Sequence, residues 1–331
     1  MFLRNNSNFK FLKPYIIAEI GSNFNQNINL AFKLISSAKD SGADAVKFQL
    51  FNAKKMYPND KKMFSLFKSI ELNKNWIPKL QKFSESIGVD FLISPFDIDS
   101  AKTLKKRNLA GYKVASSELT NIKLINYLSS IKKPLFVSTG MSDLIDVKNA
   151  IKVFKKYKNN KIVLMQCGSM YPLPEKYTNL RVLNTFKKFK FQLGFSDHTK
   201  GTFSAIVAVG LGAMVFEKHF TLNKKSKGPD HFFALEPSQF KKYVKDIYRA
   251  HLNLGDKNKL MLPDEKKFSR REGAYYKIEL PKGHKIKVSD IIKKRPSLGI
   301  RARDINMVVN KRLKNTVKAN SPIFFEDISK Q

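Results

Sequence analysis

The sequence predicts an α/β protein with a closed (β/α)8 TIM barrel followed by a small β-rich domain. The first reason is a repeat that starts at Tyr15: a short apolar run, a turn, and a segment whose apolar residues have helical spacing. Eight such units follow one another, which suits a barrel in size and order, although an open doubly wound sheet is the alternative. The second reason is a change after residue 254 to polar and then short alternating runs. We therefore expect a barrel at 1–254, a linker at 255–274 and a small domain at 275–331.

The predicted strands are short runs, rich in β-branched and aromatic residues, that are bounded by turn-forming residues. They are Tyr15–Ile20, Ala45–Leu50, Asp90–Ile93, Gly111–Ala115, Pro134–Val137, Lys161–Gln166, Phe191–Phe195 and Ala213–Phe216. Segments with helical spacing lie between these strands and after the last one. The predicted helices are Ile28–Asp40, Asn73–Ile87, Asp99–Arg107, Asn121–Ile131, Asp143–Tyr157, Thr178–Lys188, Gly201–Leu211 and Pro237–Asn253. Parallel strands joined by helices end at one rim of a barrel, so we expect functional side chains there.

The predicted small domain consists of alternating runs separated by turns. The runs are Tyr276–Leu280, Ile286–Val288, Val317 and Ile323–Phe325, and the turns lie at 281–284 and 319–322. A domain of this size is marginal alone, so we expect it to dock on something larger.

The composition is strongly basic, with 62 basic and 27 acidic side chains and a formal net charge of +35 in 331 residues. Such a charge favours nucleic acid or an acidic surface as a partner. Only ten of the basic residues are arginine, and the lysines are scattered, whereas specific nucleic-acid readers use arginine clustered on one face. We interpret the lysines as solvated and expect no nucleic-acid partner; a basic nucleic-acid-binding protein is the alternative from another class.

Cysteine usage and hydropathy indicate the compartment. Cys167 is the single cysteine, which excludes a disulfide within the chain. The N-terminal residues lack the apolar core of a signal peptide, and no run approaches the length of a membrane span. We expect a cytoplasmic soluble protein with no membrane partner, and we interpret Cys167 as an inert, buried strand residue because no base partner is evident.

Two histidines follow the last two predicted strands. His198 lies in a polar cluster past the seventh strand, and His219 lies past the eighth, two residues after Glu217. Since neighbouring parallel strands end at one rim, both imidazoles could bind one divalent ion, with two unrelated loop histidines as the alternative. Two histidines leave positions for water and a substrate oxygen, which suits a Lewis acid rather than a structural metal. Glu19, at the end of the first strand, could act as an acid or base.

Lysines within two predicted strands, Lys47 and Lys113, indicate an anion-binding pocket. Turns past the fourth, fifth and seventh strands add the hydroxyl groups of Ser116, Ser138 and Ser196. Cations, hydroxyls and backbone amides at one rim suit a phosphate or a carboxylate. An unpaired lysine inside a barrel costs several kcal/mol, so the lysines imply an anionic ligand or, as the alternative, ion pairs with Glu19 or Glu217.

A series of short motifs occurs in order at the predicted strand ends. They are Ile17–Asn23, Val46–Gln49, Ser94–Phe96, Tyr112–Ser116, Ser138–Met141, Gly194–Thr199, Glu217–Thr221 and Gly228–Asp230. Together they resemble the N-acetylneuraminate (sialic acid) synthase family, which includes legionaminate and pseudaminate synthases. The resemblance covers the whole predicted barrel and continues into the tail, where Lys294-Arg295-Pro296 and Gly299 resemble the antifreeze-like (SAF) domain of these enzymes.

The resemblance implies a reaction. Phosphoenolpyruvate condenses with the open-chain aldehyde of an N-acylated hexosamine, such as N-acetylmannosamine or a 2,4-diacetamido-trideoxyhexose. The products are a nine-carbon 2-keto-3-deoxy sugar acid and phosphate. The resemblance also implies a divalent metal cofactor, usually Mn²⁺, with Mg²⁺ or Co²⁺ as alternatives.

The resemblance further implies roles for individual residues. The phosphoenolpyruvate-binding set is Lys47, Lys113, Ser116, Ser138 and Ser196. The sugar contacts are Gln49, Tyr171, Asp230 and Arg295. The metal ligands are His198 and His219, which are also expected to be catalytic together with Glu19 and Glu217. Arg295 resembles a tail arginine that enters the partner subunit's site, which implies a homodimer with a swapped C-terminal domain.

Some positions depart from the family pattern. Phe24 stands where members often have histidine after the asparagine of the first motif, and Ser169 stands where sialic acid synthases commonly show asparagine. If that histidine contacts sugar or water, Phe24 makes a catalytically altered relative with a different sugar the alternative. We interpret His231, beside Asp230, as a substrate contact, with a plain loop residue as the alternative.

Overall fold

The computed structural model describes residue 3 and residues 9–268 and 270–329. Its chain divides into two compact units, Met1–Gly255 and Asp256–Gln331. Within the described ranges, no helix combines the length and the hydropathy that crossing a membrane requires.

The first unit is a closed barrel of eight parallel strands, which confirms the predicted fold and excludes the open sheet. The strands are β1 Tyr15–Gly21, β2 Ala45–Leu50, β3 Asp90–Pro95, β4 Gly111–Val114, β5 Leu135–Ser138, β6 Ile162–Cys167, β7 Gln192–Asp197 and β8 Val215–His219. Each strand pairs with the next along the chain, and β8 pairs back with β1 to close the barrel. All eight strands therefore end at one rim, as the sequence predicted.

Helices follow the strands and cover the outside of the barrel. They are α1 Ile28–Asp40, α2 Ala53–Met56, α3 Lys61–Ile70, α4 Ile77–Ser86, α5 Ile98–Lys105, α6 Ile122–Ser130, α7 Leu144–Lys156, α8 Val182–Lys187, α9 Phe203–Gly210 and α10 Pro237–Leu254. Most begin at a side chain that accepts hydrogen bonds from the first free backbone N–H groups. Asn27 does this for α1, and Asp143 does it for α7 in a reciprocal pair with Asp146.

Two of these helices, α2 and α3, were not predicted. They form the long connection between β2 and β3, where Asn52 and Asp60 cap them. The α3 helix contains no fully buried residue, but its apolar residues Met63, Leu66, Phe67 and Ile70 have helical spacing, so the sequence does carry a signal for this helix. This connection rises from the rim next to the strand that carries Lys47 and Gln49.

The two-residue period of each strand divides the core into two layers. In β1, Ile16, Ala18 and Ile20 belong to the apolar layer between strands and helices, whereas Tyr15 and Ile17 belong to the barrel interior. The interior layer is closed by aromatic rings: Phe9 and Phe11 stack edge to face 5.3 Å apart. This aromatic plug of Phe9, Phe11 and Tyr15 lies where the strands begin, opposite the functional rim.

The second unit has little regular structure. It contains helix α11 Pro263–Phe268 and an antiparallel pair of strands, β9 Gly273–Tyr276 and β10 Ile291–Lys294, around its own apolar cluster. The predicted strand Tyr276–Leu280 is wrong beyond Tyr276, because pairing there is reduced to isolated bridges such as that of Leu280 with Val317. The segment predicted as a linker contains α11, whose first residues, proline followed by two acids, suit a helix start.

Candidate active site

The two-residue period that builds the barrel also places the polar side chains in its mouth. In β2, Ala45, Lys47 and Gln49 point inward, and the first of them belongs to the interior apolar layer. The strand register pairs Glu19 with Lys47 on one side and with His219 on the other. Inward positions are thus apolar near the aromatic plug and polar toward the rim, so the mouth is lined by charged groups on a hydrophobic floor.

Two lysines and two glutamates form a buried ion cluster in this mouth. Lys47 Nζ lies 3.1 Å from Glu19 Oε2 and 3.6 Å from Glu217 Oε2. Lys113 Nζ lies 3.7 Å from Glu217 Oε1. All four side chains are almost fully buried. Both lysines are therefore ion-paired with glutamates, which was the alternative to an anionic ligand. The two lysines can still exchange a glutamate partner for an anionic ligand, because all four side chains share one pocket.

Hydroxyl groups complete the cluster. Lys47 Nζ donates to Ser94 Oγ at 3.1 Å, and Lys113 Nζ donates to Ser138 Oγ at 2.6 Å. Ser196 Oγ donates to Glu217 Oε1 at 2.9 Å. The structure brings these predicted residues together and adds Ser94, to which no role was assigned from the sequence.

Ser116 lies slightly apart from the lysines. Its Oγ accepts from the backbone N–H of Gly140 at 3.1 Å, in the turn past β5. A Cβ at Gly140 would come within 2.9 Å of that Oγ and 2.3 Å of Ser169 Oγ, so only glycine fits between the two hydroxyls. Ser169 Oγ is buried and has no hydrogen-bond partner among the described residues. The turns past β4, β5 and β6 therefore meet through hydroxyl groups at the rim.

Burial and neighbouring charges act on the two glutamates in opposite ways. Burial raises the pKa of Glu19 to about 7, although Lys47 opposes the shift. Burial would also raise the pKa of Glu217, but Lys113 and Lys47 together hold it below its ordinary value. The pKa values of two carboxyl groups that share one lysine thus differ. A site with such a pair can use one group to carry a proton while the other stays ionised.

The two predicted metal ligands lie side by side. The ring centroids of His198 and His219 are 5.4 Å apart, and both residues are buried. His198 Nδ1 is 2.7 Å from the carbonyl oxygen of Gly168, which only accepts, so Nδ1 carries the proton and Nε2 is free. His219 Nδ1 is buried without a hydrogen-bond partner among the described residues. Burial holds the pKa of His219 well below its ordinary value, so this ring is neutral.

This pair of rings fits a divalent ion. Two imidazoles that bind one ion at about 2.1 Å have centroids about 5 Å apart, close to the observed separation. The Nδ1–H bond from His198 to a backbone carbonyl is the usual orienting contact of a metal-bound histidine. Among the described residues, no group of three His, Cys, Asp or Glu side chains is arranged to hold a metal ion. A metal here would take its other ligands from water or substrate.

Aromatic side chains form a wall beside the histidines. The Tyr171 ring lies 4.2 Å from the His198 ring, and the Phe233 ring lies 4.8 Å from the His219 ring. Tyr171 and Phe233 contact each other at 5.2 Å. Tyr171 is nearly half exposed, so it reaches from the imidazoles to the opening, and its contact with a sugar stays a prediction.

The predicted sugar contacts Gln49 and Asp230 converge at Gly21. Gln49 Nε2 donates to Glu19 Oε1 at 2.7 Å, and Ser22 Oγ donates to Asp230 Oδ2 at 3.0 Å. A Cβ at Gly21 would lie 3.0 Å from Asp230 Oδ2 and 3.4 Å from Glu19 Oε1. The loop past β8 is therefore held against the end of β1, and an amide and two carboxylates face the same space.

Two residues discussed from the sequence lie elsewhere. Phe24 is 1% exposed and packs against Phe48 and Trp76 outside the barrel, so it does not line the mouth. Phe24 therefore no longer supports the alternative that the protein is a catalytically altered relative with a different sugar substrate. Arg295 is an exposed residue of the second unit, next to Pro296.

One interpretation from the sequence is confirmed and one is wrong. Cys167 is the buried last residue of β6, as interpreted. Its Sγ lies 3.8 Å from His198 Nδ1, but that nitrogen directs its proton to the Gly168 carbonyl and cannot act as a base. Both ring nitrogens of His231 are engaged, with Thr221 Oγ1 at 2.7 Å and Asn25 Oδ1 at 3.1 Å, so this ring fastens a loop instead of contacting substrate. The contact of Cys167 with His198 follows from the strand register, which sets Cys167 opposite Ser196. Sequence patterns do not give registers, so the contact could not be predicted.

A parallel barrel whose mouth combines buried lysines, two unlike carboxyl groups and two adjacent imidazoles is typical of a class of enzymes that bind anions at the strand ends. Comparison with known proteins identifies the family. The NeuB family model matches residues 34–259, and the SAF domain model matches residues 271–329. The chain belongs to the NeuB family.

Individual relatives agree with this assignment. The chain is 35% identical to the N,N'-diacetyllegionaminic acid synthase of Legionella pneumophila over 95% of this chain and 94% of the relative. It is 29% identical to the pseudaminic acid synthase of Helicobacter pylori, over 96% and 98% of the two chains. Among solved structures, the N-acetylneuraminic acid synthetase of Leptospira borgpetersenii is similar with a TM-score of 0.74 and 31% identity, over 77% of this chain and 90% of that one. The family predicted from the motifs is confirmed.

Proposed function

We propose that this chain is a nonulosonic acid synthase, a carbon–carbon bond-forming transferase. It condenses phosphoenolpyruvate with the open-chain aldehyde of an N-acylated hexosamine, releasing phosphate and a nine-carbon 2-keto-3-deoxy acid. This reaction is supported by relatives named N,N'-diacetyllegionaminic acid synthase, pseudaminic acid synthase and N-acetylneuraminate-9-phosphate synthase. The observation that carries the proposal is the buried ion cluster beside two adjacent imidazoles in one mouth.

The lysines bind the anionic substrate in this proposal. Lys47 and Lys113 are held inside the barrel by carboxylates and by the hydroxyls of Ser94 and Ser138. A phosphoenolpyruvate anion replaces part of that carboxylate pairing with its own phosphate and carboxylate oxygens. Because these cations are fixed before the substrate arrives, little reorganisation is needed as charge moves during the reaction.

The imidazoles of His198 and His219 would hold the divalent metal through His198 Nε2 and His219 Nδ1. When bound, a divalent ion such as Mn²⁺ supplies a Lewis acid that polarises the sugar aldehyde. The neutral state of His219 suits this role, since a protonated imidazole cannot bind a metal.

Glu19 carries protons in the proposed mechanism. Carbon 3 of phosphoenolpyruvate attacks the aldehyde carbon, and Glu19 donates its proton to the aldehyde oxygen, which becomes a hydroxyl. Water then adds to carbon 2, and Glu19 takes back the proton that this water loses. The bond between carbon 2 and the phosphate oxygen then breaks, and the hydroxyl on carbon 2 gives its proton to the departing phosphate, leaving a ketone and free phosphate. A pKa of about 7 allows Glu19 to perform both steps near neutral pH.

The proposal includes a homodimer in which Arg295 of one subunit serves the site of the other. Arg295 is exposed and belongs to the unit that matches the SAF domain model. A guanidinium is suited to hydrogen-bond the acyl oxygen of an N-acyl sugar.

Phosphate release from phosphoenolpyruvate tests the function. The protein is incubated with N-acetylmannosamine and with a 2,4-diacetamido-2,4,6-trideoxyhexose, with and without added Mn²⁺. We expect phosphate release that requires both a sugar and the metal. The absence of phosphate with every sugar would overturn the proposal.

A matched pair of variants tests the metal site. His198→Ala is expected to lose Mn²⁺ binding, measured by electron paramagnetic resonance without substrate, together with metal-dependent turnover. His251→Ala, on helix α10 away from the mouth, serves as the control and is expected to bind Mn²⁺ like the unmodified protein. Equal Mn²⁺ binding by both variants would contradict the assignment.

A further inference from the structure

A cavity of about 290 Å³ lies at the rim on the side of β2, β3 and β4. It is lined by Lys55, Met56, Tyr57, Phe96, Asp97 and Glu118. None of these residues was assigned a role from the sequence. They follow closely on the inward polar residues of the mouth, since Phe96 comes two residues after Ser94 and Glu118 two residues after Ser116. The cavity is therefore an extension of the rim next to the proposed active site.

One wall of this rim cavity is apolar and rigid. The Tyr57 ring contacts the Phe67 ring at 4.7 Å, and the Phe96 ring contacts the Phe51 ring at 5.8 Å. Met56 completes this wall. Rings that are held in place by other rings present a fixed apolar face, against which a methyl group or a sugar C–H face can pack.

The other wall of the rim cavity is acidic. Asp97 and Glu118 bring two carboxylates, whereas the single cation, Lys55, is ion-paired with Asp99. Asp97 accepts from the backbone N–H and the hydroxyl of Ser100, and Glu118 Oε2 accepts from an amide at 2.9 Å. Excess negative charge favours a ligand group that donates N–H or O–H and disfavours an anionic group.

A different cavity, of about 490 Å³, has the opposite charge. It lies past β7 and β8 and contains Lys200, Lys224 and Lys242. Phe233 lines this lysine cavity and also packs against the His219 ring. A buried aromatic ring therefore stands between the lysine cavity and the imidazoles, whereas three lining residues of the acidic rim cavity, Lys55, Met56 and Tyr57, follow the strand that carries Gln49.

From these contacts we infer that the rim cavity binds the end of the sugar that is remote from the aldehyde, and that it selects a neutral end. An acylamino group fits both walls, because its N–H can be donated to Glu118 and its methyl group can pack on Tyr57. A phosphorylated end meets two carboxylates and is rejected. This inference depends on the proposed function, because it assumes that an aldehyde sugar reacts beside Glu19.

Charge reversal provides the test. The ratio of kcat/KM for N-acetylmannosamine to that for its 6-phosphate is measured for the unmodified protein, Glu118→Lys and Asp40→Lys. We expect the unmodified protein to prefer the neutral sugar, and Glu118→Lys to reduce the ratio about tenfold or more. Asp40→Lys makes the same change in net charge at an exposed position at the end of α1 and is expected to leave the ratio unchanged.

A second variant tests the apolar wall. Tyr57→Ala is expected to raise the KM for a diacetamido-trideoxyhexose about tenfold while leaving the KM for phosphoenolpyruvate unchanged. Calorimetric binding of each sugar provides the same comparison without turnover. A preference of the unmodified protein for the phosphorylated sugar, or equal effects of Glu118→Lys and Asp40→Lys, would overturn the inference alone. Failure of every sugar to react or bind would instead overturn the proposed function.

Discussion

Asp44 shows at the scale of one residue how the fold sets a charge state. It lies just before β2 and accepts a hydrogen bond from the backbone N–H of Ile16 at 2.8 Å. Burial raises the pKa of Asp44 from 3.8 to about 6, even though that hydrogen bond, Lys13 and Lys39 oppose the shift. The folded state therefore binds a proton here more tightly than the unfolded chain does.

This shift predicts a pH-dependent stability. A carboxyl group with a raised folded pKa contributes fully to stability below its unfolded pKa of 3.8, and the contribution is lost as pH rises through about 6. Asp44→Asn retains an acceptor for Ile16 without the charge. We expect this variant to match the unmodified protein near pH 4 and to exceed its free energy of unfolding by up to about 3 kcal/mol at pH 8.

Urea unfolding at pH 4, 6 and 8 measures the effect. Asp40→Asn, at the exposed end of α1, is the matched control for the loss of one carboxylate. A constant difference between Asp44→Asn and the unmodified protein at all three pH values would disprove the expected linkage.

Sequence patterns predicted some residues of the mouth better than others. Glu19 was expected at the end of the first strand, and Lys47 and Lys113 were expected within the second and fourth strands with an anionic partner, because an ionisable residue inside an apolar run needs one. The contact of Cys167 with His198 was not predicted, since it depends on how two neighbouring strands are aligned. Patterns along one strand show which face a residue occupies, but not which residue lies opposite.

At the scale of elements, the end of β1 depends on a glycine. Gly21 has φ +55, and an added Cβ would press on Asp230 Oδ2 at 3.0 Å. We expect Gly21→Ala to lower stability by about 1–2 kcal/mol and to raise the KM for the sugar, because Asp230 and Glu19 must move.

Gly88→Ala separates backbone strain from the effect on the site. Gly88 has φ +74, and an added Cβ there meets nothing within 4 Å. The Gly88→Ala variant should lose about as much stability in thermal unfolding as Gly21→Ala, but its KM for the sugar should equal that of the unmodified protein. An equal change of KM in both variants would refute the role assigned to the Gly21 contact.

A buried ion pair fixes the ends of β7 and β8 from behind the mouth. Lys218 Nζ lies 3.0 Å from Asp197 Oδ2, with side chains 2% and 0% exposed, and it also donates to the carbonyl of Thr199. These residues adjoin His198 and His219 in the chain, so the pair sets the spacing of the imidazoles. Lys218→Met leaves a buried unpaired carboxylate and should cost about 3–5 kcal/mol of unfolding free energy.

The pair of an exposed Lys242 with the buried Asp246 is the control, because Thr202 still donates a hydrogen bond to Asp246 when the lysine is removed. Lys242 is 67% exposed, and Lys242→Met should change the free energy of unfolding by less than about 1 kcal/mol. Equal losses in chemical denaturation would show that burial of the Asp197 pair does not matter.

The elements themselves were predicted unevenly. The barrel strands alternate with long helices, and this rhythm is visible in the sequence because each strand is buried on both faces. Helix α2 was missed because four residues are too few to show a period, whereas α3 was missed although its apolar residues have helical spacing. The strands of the second unit were misplaced because bridges of one residue leave no periodic pattern.

At the scale of the whole molecule, the proposed swapped dimer predicts complementation between two inactive variants. His198→Ala and Arg295→Ala proteins are each expected to be impaired when assayed alone. In a mixed dimer, one barrel with intact His198 receives an intact Arg295 from its partner and is complete. Co-expressed and co-purified subunits should therefore recover activity, up to about half of the unmodified level per mixed dimer.

The opposite outcome is equally clear. If Arg295 serves its own barrel, every site in the mixed dimer lacks one of the two residues, and no activity returns. Light scattering on the purified protein determines separately whether a dimer is present.

The aromatic plug of Phe9, Phe11 and Tyr15 has a kinetic consequence for the whole enzyme. Because aromatic rings fill the barrel where its strands begin, reactants are expected to enter from the rim, where Tyr171 is nearly half exposed while Lys47 and Lys113 are almost fully buried. A sugar that binds first would block access to the lysines. We therefore expect ordered binding, with phosphoenolpyruvate as the first substrate. An unreactive sugar analogue should then inhibit uncompetitively toward phosphoenolpyruvate, whereas random entry would make that inhibition noncompetitive.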